Sequence, residues 1–401
     1  ATQNVIDQEK MAVILQEVVG KQYGDLYYPN FSGVLRSLNY YPIGEETAEE
    51  GIASLALGLG KYIVDGGQTL RVSPYHPTQV LQMSEMEPAL SETQTRFYAL
   101  DMTHVGDDFK VDDGFNIKNL RVKQAAADGA LTYIASTYDP TDQIIRDGIY
   151  EGGRKVISFT GVLQHGVFPL PELLQMAQKY GADEMKRPVE IEFACNLNDD
   201  RTGEFYLLQI RPIVDSKQVL EEDLQAIPDS QCLLRSHNSL GHGISEDVVD
   251  VVYVKADDDF TAVNNPTIAS EIEQINRKFL DAEKNYVLIG PGRWGSSDYW
   301  LGIPVKWPHI SAARVIVETG LKNYHVDPSQ GTHFFQNLTS FGAGYFTINT
   351  YTGDGIFQKE VLDQMPAVEE TQYVRHVRFE RPLKVMMDGK KQQGVVLLPQ
   401  E

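Results

Sequence analysis

The chain has 401 residues, 42% of them hydrophobic, which is enough for the cores of two or three domains. Its 35 lysines and arginines stand against 56 aspartates and glutamates, and the net charge of −21 argues against nonspecific binding to nucleic acid or to an anionic membrane. The two cysteines, Cys195 and Cys232, lack metal-ligand spacing and fit a reducing compartment, so we expect a cytoplasmic protein. Since no apolar run approaches about 18 residues and no basic leader is present, neither a membrane span nor a secretion signal is predicted.

The first part of the chain reads as a succession of strands. The apolar, β-branched run Met11–Val19 predicts a buried strand, although its periodicity also allows a helix. Phe31–Ser37 predicts a second, short strand. Gly58 and Gly60 follow further on, where the lack of a side chain would let the backbone approach a ligand closely. The alternative is that these glycines only mark a turn between strands.

A helix and then a β-hairpin are predicted in the middle of the chain. Pro169 to Glu172 have the composition of a first helical turn, and Gly181 is predicted to end that helix. Two segments of alternating character, 189–193 and 205–212, are joined by a loop rich in turn formers, which predicts the hairpin. The alternation gives the hairpin an apolar face with Val189, Ile191, Phe193, Tyr206, Leu208 and Ile210, and a polar face with Glu190, Glu192, Gln209 and Arg211.

The polar face of the hairpin has the chemistry of a magnesium–nucleotide site. Mg²⁺ prefers oxygen ligands, commonly one or two carboxylates together with substrate phosphates. A neighbouring arginine such as Arg211 can pair with those phosphates in a planar, bidentate way. An ordinary amphipathic hairpin with a solvated charged face is the alternative that this pattern leaves open.

The second half of the chain predicts a separate α/β unit. Residues 214–231 form an acidic stretch that we interpret as a linker with a solvated face. Strands and a helix alternate beyond it, which is typical of an α/β fold. The predicted strands are Val248–Val254, Tyr286–Ile289, Arg314–Val317 and Tyr345–Ile348, and the predicted helix is Ile268–Glu283.

Gly290–Gly295 has the outline of a dinucleotide-binding fingerprint. The segment is a G-x-G-x-x-G sequence after a predicted strand, and Glu318 ends a later strand. However, Gly302, Pro304 and Pro308 oppose the uninterrupted helix whose N-terminus would bind a pyrophosphate. Dinucleotide binding is therefore a minor alternative.

The hairpin sequence resembles that of a known enzyme family. Pro188–Ala194 and Leu208–Pro212 resemble the closing hairpin of the ATP-binding domain in phosphoenolpyruvate synthases and pyruvate phosphate dikinases. The resemblance implies that Glu192 and Gln209 are metal ligands, that Glu190 helps to hold the nucleotide, and that Arg211 contacts its phosphates. These phosphate and metal contacts imply Mg²⁺ and ATP as the cofactors.

Two earlier segments support the resemblance in the same chain order. Phe31–Ser37 resembles the Ser-Gly-Val strand of the family, and Gly58–Gly67 resembles its Gly-Leu-Gly signature. Two positions depart from the family pattern. Arg36 stands where the strand usually continues with an apolar residue, and Lys61 stands where an acidic residue is usual.

The resemblance implies an α/β (α+β) fold in three parts. Residues 1–213 would form the C-terminal lobe of an ATP-grasp-like domain, with a mixed or antiparallel sheet and helices. Residues 214–231 would link it to a smaller α/β domain, 232–401, in the position of the family's swivelling domain. That domain carries a transiently phosphorylated histidine in the family. His333 is the nearest match here, with aromatic residues where small ones are expected, and His242 is a weaker one.

We therefore expect an incomplete portion of a phosphoenolpyruvate synthase-like, ATP-dependent phosphotransferase, with Arg211 and His333 as the catalytic candidates. In the family a preceding lobe supplies a lysine and an arginine to the phosphates, so the chain alone is expected to be inactive without that partner lobe. Pyruvate or phosphoenolpyruvate would be a further small-molecule substrate of the complete protein. The alternative is a non-catalytic nucleotide-sensing or interaction module that kept the fold.

Overall fold

The structure is a computed structural model that describes residues 13–104, 114–213, 223–256, 260–296, 298–321, 326, 337–339 and 341–399. Up to residue 213, strands and short helices alternate irregularly. The strands are β1 Lys21–Tyr23, β2 Leu26–Tyr28, β3 Phe31–Arg36, β4 Ile52–Leu57, β5 Leu70–Val72, β6 Arg96–Asp101, β7 Ile117–Arg121, β8 Ser136–Asp139, β9 Ile144–Asp147, β10 Arg154–Val156, β11 Val189–Leu197 and β12 Gly203–Pro212. The helices are α1 Lys61–Val64, α2 Met86–Ser91, α3 Val122–Ala127, α4 Thr160–Leu163 and α5 Leu170–Met185.

An antiparallel five-stranded sheet, in the order β12-β11-β3-β4-β5, lies at the centre of this first half. A four-stranded sheet, β1-β2-β6-β7, and a three-stranded sheet, β10-β8-β9, accompany it. One face of the five-stranded sheet is apolar and contributes Leu35, Leu55, Ile191 and Phe193 to a single large core. The other face is therefore available for polar side chains.

The helix α5 packs on the apolar side of the hairpin formed by β11 and β12, and it runs past Gly181 to Met185. A Cβ atom on Gly181 would lie 2.8 Å from Cδ1 of Ile210 and 3.2 Å from Cδ1 of Ile191. The glycine thus allows the helix to approach the strands closely. The prediction that Gly181 ends the helix is wrong, because packing against the hairpin outweighs its low helix propensity.

The hairpin is confirmed, with one irregularity that changes its faces. Glu192 pairs with Gln209 but Phe193 pairs with Leu207, so Leu208 is an extra residue on β12, a β-bulge. Beyond the bulge the alternation is reversed: Phe205 stacks on Phe193 in the core, whereas Tyr206 is exposed. The prediction that Tyr206 lies on the apolar face is therefore wrong. The positions of Glu190, Glu192, Gln209 and Arg211 on one polar face are confirmed by their register.

The predicted strand at Met11–Val19 is also wrong in its described part. Residues 13–19 have no regular structure, and Val13 and Leu15 are 78% and 94% exposed. An apolar, β-branched run indicates a preference for strands, but a strand also needs a hydrogen-bonded neighbour. Here no neighbouring strand pairs with this segment within the described residues.

The second half is built on one large mixed sheet. The strands are β13 Cys232–Ser236, β14 Asn238–Leu240, β15 Gly243–Val254, β16 Tyr286–Pro291, β17 Arg293–Trp294, β18 Gly302–Ile303, β19 Ala313–Thr319, β20 Gly344–Ile348, β21 Ile356–Phe357, β22 Ala367–Glu370, β23 Val374–Asp388 and β24 Gln393–Leu397, and the helices are α6 Asn265–Asp281 and α7 Lys359–Gln364. The sheet order is β14-β20-β19-β16-β15-β23-β24-β13-β21, with β22 beside β23.

The strands β15, β16, β19 and β20 are parallel neighbours, and separate apolar clusters form against the sheet. The helix α6 contributes Ile268, Ile272 and Ile275 to one of these clusters. The strands and the helix predicted for this half are thus confirmed, as is the mixed α/β class of the chain.

The dinucleotide hypothesis for Gly290–Gly295 is contradicted by this geometry. In the described residues that follow Gly295, the chain forms the short strand β18 and a 3₁₀ turn at Trp307–His309 rather than a helix. Glu318 is fully buried and accepts hydrogen bonds from the Trp294 backbone N–H, at 2.8 Å, and from the Tyr345 hydroxyl. A carboxylate held inside the fold in this way cannot bind a ribose.

The two halves of the chain contact each other directly. The ring of Tyr40 stacks on His242 with a centroid distance of 4.4 Å, and the Gly241 N–H donates to the Tyr40 carbonyl at 3.0 Å. The Tyr41 hydroxyl donates to the Ala343 carbonyl at 3.3 Å. These contacts bring the polar face of the five-stranded sheet close to the second half.

In the described part of the predicted linker, residues 223–231, most residues are exposed, as a solvated face requires, but Leu224 and Arg235 tie the segment to the second half. Leu224 is buried with Cys232 in a small apolar cluster. Arg235 donates to the carbonyl oxygens of Leu224 and Ile227 at 2.6 and 2.5 Å. This part of the chain therefore belongs to the second half of the structure.

Because the bulge sets which side chains are buried, two similar substitutions on the hairpin should lower the free energy of unfolding by different amounts. Ile191 is fully buried, so Ile191→Ala should lower the free energy of unfolding by about 2–5 kcal/mol. Leu207 is 50% exposed, so Leu207→Ala should cost less than about 1 kcal/mol. Urea-unfolding curves of the two variants check this difference, and equal losses would contradict the assignment of the faces.

Candidate functional site

Two rows of side chains cross the polar face of the five-stranded sheet. Cross-strand neighbours in an antiparallel sheet lie on the same face and interact directly. The first row runs through Arg211, Glu190, Arg36 and Ile52, and the second through Gln209, Glu192, Val34, Ser54 and Arg71. The alternation of each strand places these residues on the polar face because the alternate positions fill the core. The sheet thus collects charged groups from four strands.

Glu190 is the centre of the first row. Its side chain is 9% exposed and accepts hydrogen bonds from Arg36 Nε at 2.7 Å and from Arg211 Nε at 2.9 Å. Burial, the largest single effect, raises the pKa of Glu190, but the hydrogen bonds and charges of Arg211 and Arg36 outweigh it and hold the pKa below its ordinary value. Glu190 is therefore an ionised bridge between two guanidinium groups that remain more than half exposed.

Glu192 and Gln209 form a cross-strand pair one step further along the sheet. Within the described part of the chain, neither side chain makes a hydrogen bond or an ion pair. The two side-chain oxygens are of the type that Mg²⁺ accepts, and two protein ligands suit an ion that keeps several waters or phosphate oxygens. The described residues contain no group of three or more carboxylate, histidine or cysteine side chains that could hold a metal by themselves. The pair therefore fits a magnesium ion that is bound together with a ligand, and not a closed structural site.

Arg71, at the far end of the second row, is already engaged by an acid. Its guanidinium makes a bidentate ion pair with Glu46, with N–O distances of 3.1 and 2.8 Å, and it donates to the Tyr41 carbonyl at 2.9 Å. Glu46 is buried and also accepts from the Asn39 amide. This ion pair holds the loop that contains Tyr40 and Tyr41 against the sheet.

A cleft of about 480 Å³ lies over the polar face. Arg36, Glu190, Glu192 and Arg211 line one end of it. The opposite part, which we call the apolar end, includes Ile52, Ile63, Val64 and Leu81 and also the ion-paired Arg71. The cleft thus has a charged end and an apolar end, which suits a ligand with an anionic group attached to an apolar ring.

The glycines proposed to approach a ligand lie elsewhere. Neither Gly58 nor Gly60 lines this cleft. Gly58 has a φ of +83°, and a Cβ atom there would lie 2.6 Å from the Tyr98 carbonyl oxygen, so packing explains its lack of a side chain. A contact of Gly58 or Gly60 with a ligand remains a prediction. His333 lies outside the described residues.

Sequence reasoning noted Arg36 but did not find its partner. Arg36 and Glu190 are 154 residues apart, and their contact depends on the pairing of β3 with β11. The available signal was the alternation of β3, because Phe31 and Leu35 in the core place Arg36 on the polar face. Ser54 and the apolar end of the cleft gave no comparable signal.

The comparison with protein families identifies the class of this chain. The family described as pyruvate phosphate dikinase, AMP/ATP-binding domain, matches residues 2–230, which is more than half of the chain. The chain therefore belongs to this family, and the resemblance that we inferred from the hairpin is confirmed. No match was found among curated proteins.

Membership places the chain in a nucleotide-binding phosphotransferase family, with ATP as the nucleotide that the family supports. The antiparallel sheets and mostly short helices of the first half are consistent with an ATP-grasp-like lobe. Among the residues that the structure describes, no helix is long and apolar enough to cross a membrane.

Acid should remove the stabilising contribution of Glu190. Because its pKa is lower in the folded state, this contribution is fully present above the ordinary value of 4.5 and is lost as the pH falls through the lowered value. Glu190→Gln should therefore be less stable than the wild type at neutral pH, and the difference in urea midpoint should shrink in acid.

Glu192→Gln is the matched control, because the Glu192 carboxylate makes no ion pair among the described residues. Its difference from the wild type should change less over the same pH window, because the substitution breaks no hydrogen-bonded ion pair among the described residues. A pH-independent difference for Glu190→Gln would contradict the ion-pair assignment.

Proposed function

We propose that the polar face of the five-stranded sheet binds Mg-ATP and that the chain serves an ATP-dependent phosphotransferase of the phosphoenolpyruvate synthase type. The observation that carries the proposal is the pair Glu192 and Gln209, two oxygen-bearing side chains that make no hydrogen bond to any described residue, beside two exposed guanidinium groups. The family match supports the nucleotide, and the cleft supports its orientation.

The phosphates would lie at the charged end of the cleft. Arg36 and Arg211 each keep part of the guanidinium exposed while pairing with Glu190. Because the planar guanidinium group has five N–H donors, each arginine can contact Glu190 and still donate to a phosphate oxygen. The adenine ring would lie at the apolar end, against Ile52 and Leu81.

The bound metal would be held by Glu192 and Gln209. When bound, Mg²⁺ neutralises phosphate charge and orients the phosphates, which is the main requirement of phosphoryl transfer. Glu190 keeps the two arginines in place, since it bridges them at the centre of the row. The chain's own contribution is thus to position and neutralise the phosphates.

Binding of Mg-ATP by this chain alone should be weak. Arg36 and Arg211 share one carboxylate, and Arg71 is paired with Glu46, so few positive charges remain for a triphosphate. Isothermal titration calorimetry with Mg-ATP measures the affinity. A submicromolar dissociation constant would contradict this expectation.

Glu192→Gln should weaken the binding of Mg-ATP by about tenfold or more, because a carboxylate contact with a metal is a strong, charge-assisted interaction. The loss should vanish when the nucleotide is titrated without magnesium. Glu204→Gln is the matched control, since Glu204 is an exposed carboxylate on β12 of the same hairpin. It lies opposite Asn196, outside the cleft, and accepts a hydrogen bond from the Tyr206 hydroxyl. Equal effects of the two substitutions would overturn the assignment of the metal ligand.

A non-catalytic nucleotide-binding module is the second candidate, and the Arg36–Glu190 ion pair favours it. The acid that the family resemblance assigns to the nucleotide is already neutralised by Arg36, a residue that departs from the family pattern. The two candidates differ in turnover. AMP and phosphate release from ATP by the protein would support the enzyme, whereas Mg-ATP binding without any product would support the module.

A further inference from the structure

A second cavity, of about 560 Å³, adjoins the nucleotide cleft at the boundary between the two halves of the chain. Its wall on the first-half side is formed by Arg36, Tyr40, Glu190 and Arg211, which also line the cleft described above. Its other wall comes from the second half, with His242, Ser245 and Arg314. The arginines bridged by Glu190 therefore separate two cavities and face both.

The charge of this second cavity is opposite to that of the chain. Among the described residues, its lining includes Arg36, Arg211 and Arg314 but a single carboxylate, Glu190, so two positive charges are in excess. The whole chain carries a net charge of −21, so a local excess of arginines is not explained by composition. Arg314 is half-buried, and within the described part of the chain it makes no ion pair and no hydrogen bond. A half-buried guanidinium with no counter-ion among the described residues attracts an anion strongly.

The position of Arg314 results from an irregularity in the large sheet. Ala313 pairs with Tyr286 and Val315 pairs with Val287, so Arg314 is an extra residue at the start of β19. Such bulges redirect side chains, and here the bulged residue lines the cavity. Arg314 also acts electrostatically on the first half of the chain. Burial raises the pKa of Tyr41 to about 12, and the positive charge of Arg314 lowers that pKa in part.

His242 adds a ring nitrogen on the same side. It lies between Gly241 and Gly243, which have φ values of +105° and +121° that a residue with a side chain rarely adopts. The Gly389 N–H donates to His242 Nδ1 at 3.2 Å, so Nδ1 is an acceptor and Nε2 is the nitrogen that can donate. The stacking on Tyr40 fixes the plane of the ring.

We propose that this cavity is a binding subsite for the phosphate group of a second small-molecule ligand, held by Arg314 together with the exposed parts of Arg36 and Arg211. A phosphate dianion matches the two excess positive charges, and its oxygens suit the bidentate geometry of guanidinium groups. The inference rests on the proposed function in one respect: with a nucleotide in the neighbouring cleft, the ligand in this cavity is the other participant in phosphoryl transfer.

The test is a calorimetric titration of the protein with inorganic phosphate, without nucleotide and at constant ionic strength. We expect saturable binding that Arg314→Gln weakens at least tenfold and that His242→Gln weakens less. Acetate, titrated in the same way, should bind at least tenfold more weakly than phosphate. Thermal unfolding of each variant confirms that it is folded, and Arg314→Lys, which keeps the charge, should retain part of the affinity.

Arg277→Gln is the matched control, because Arg277 is an exposed arginine on α6 outside both cavities. Absence of saturable phosphate binding, an equal loss in Arg277→Gln, or equal binding of acetate would overturn the proposal. Glu192→Gln separates this result from the proposed nucleotide site, since it should weaken Mg-ATP and leave phosphate binding unchanged. If Glu192→Gln affects neither ligand, the nucleotide assignment fails while the phosphate result still stands.

Discussion

A single carboxylate, Glu190, accepts hydrogen bonds from Arg36 and Arg211 on the strands to either side of its own. Removing a carboxylate from water is costly unless charged partners compensate for it, and here two guanidinium groups do so. The pair of contacts ties β12, β11 and β3 together on the face that the core does not use. Because the arginines stay more than half exposed, the interaction that stabilises the sheet also presents positive charge to solvent.

The same three side chains connect the two cavities. Arg36, Glu190 and Arg211 line both the cleft over the sheet and the cavity at the boundary of the two halves. An anion bound on one side would share its arginines with an anion on the other side, so the charges at the two places are linked through Glu190. The pair proposed to hold the metal, Glu192 and Gln209, lies one cross-strand step away, and the charge of Glu192 also acts on Arg211.

The packing beneath the polar face keeps these groups in register. The helix α5 approaches the hairpin closely at Gly181, and the bulge at Leu208 allows Phe205 to stack on Phe193 while Gln209 and Arg211 stay on the polar face. The second half approaches the site from the side, where Tyr40 stacks on His242. The cavity at this boundary therefore needs both halves of the chain to exist.

Strand alternation and local turn chemistry were sufficient to predict the hairpin, the shared face of Glu190, Glu192, Gln209 and Arg211, and the α/β character of the second half, whereas the family followed from the resemblance of short motifs. These features depend on residues that are near one another in the sequence, so the order of the side chains determines them.

Other features depended on neighbours that local periodicity cannot specify. Met11–Val19 has strand composition without a strand partner in its described part, Gly181 lies inside a helix because the hairpin is close, and the glycine-rich turn at Gly290 is followed by a strand. The partner of Glu190 is an arginine 154 residues away, and only the order of the strands in the sheet brings the two together. Arg314 lines a cavity because one residue is bulged in β19 and because two halves of the chain meet there, and no short segment of sequence contains that information.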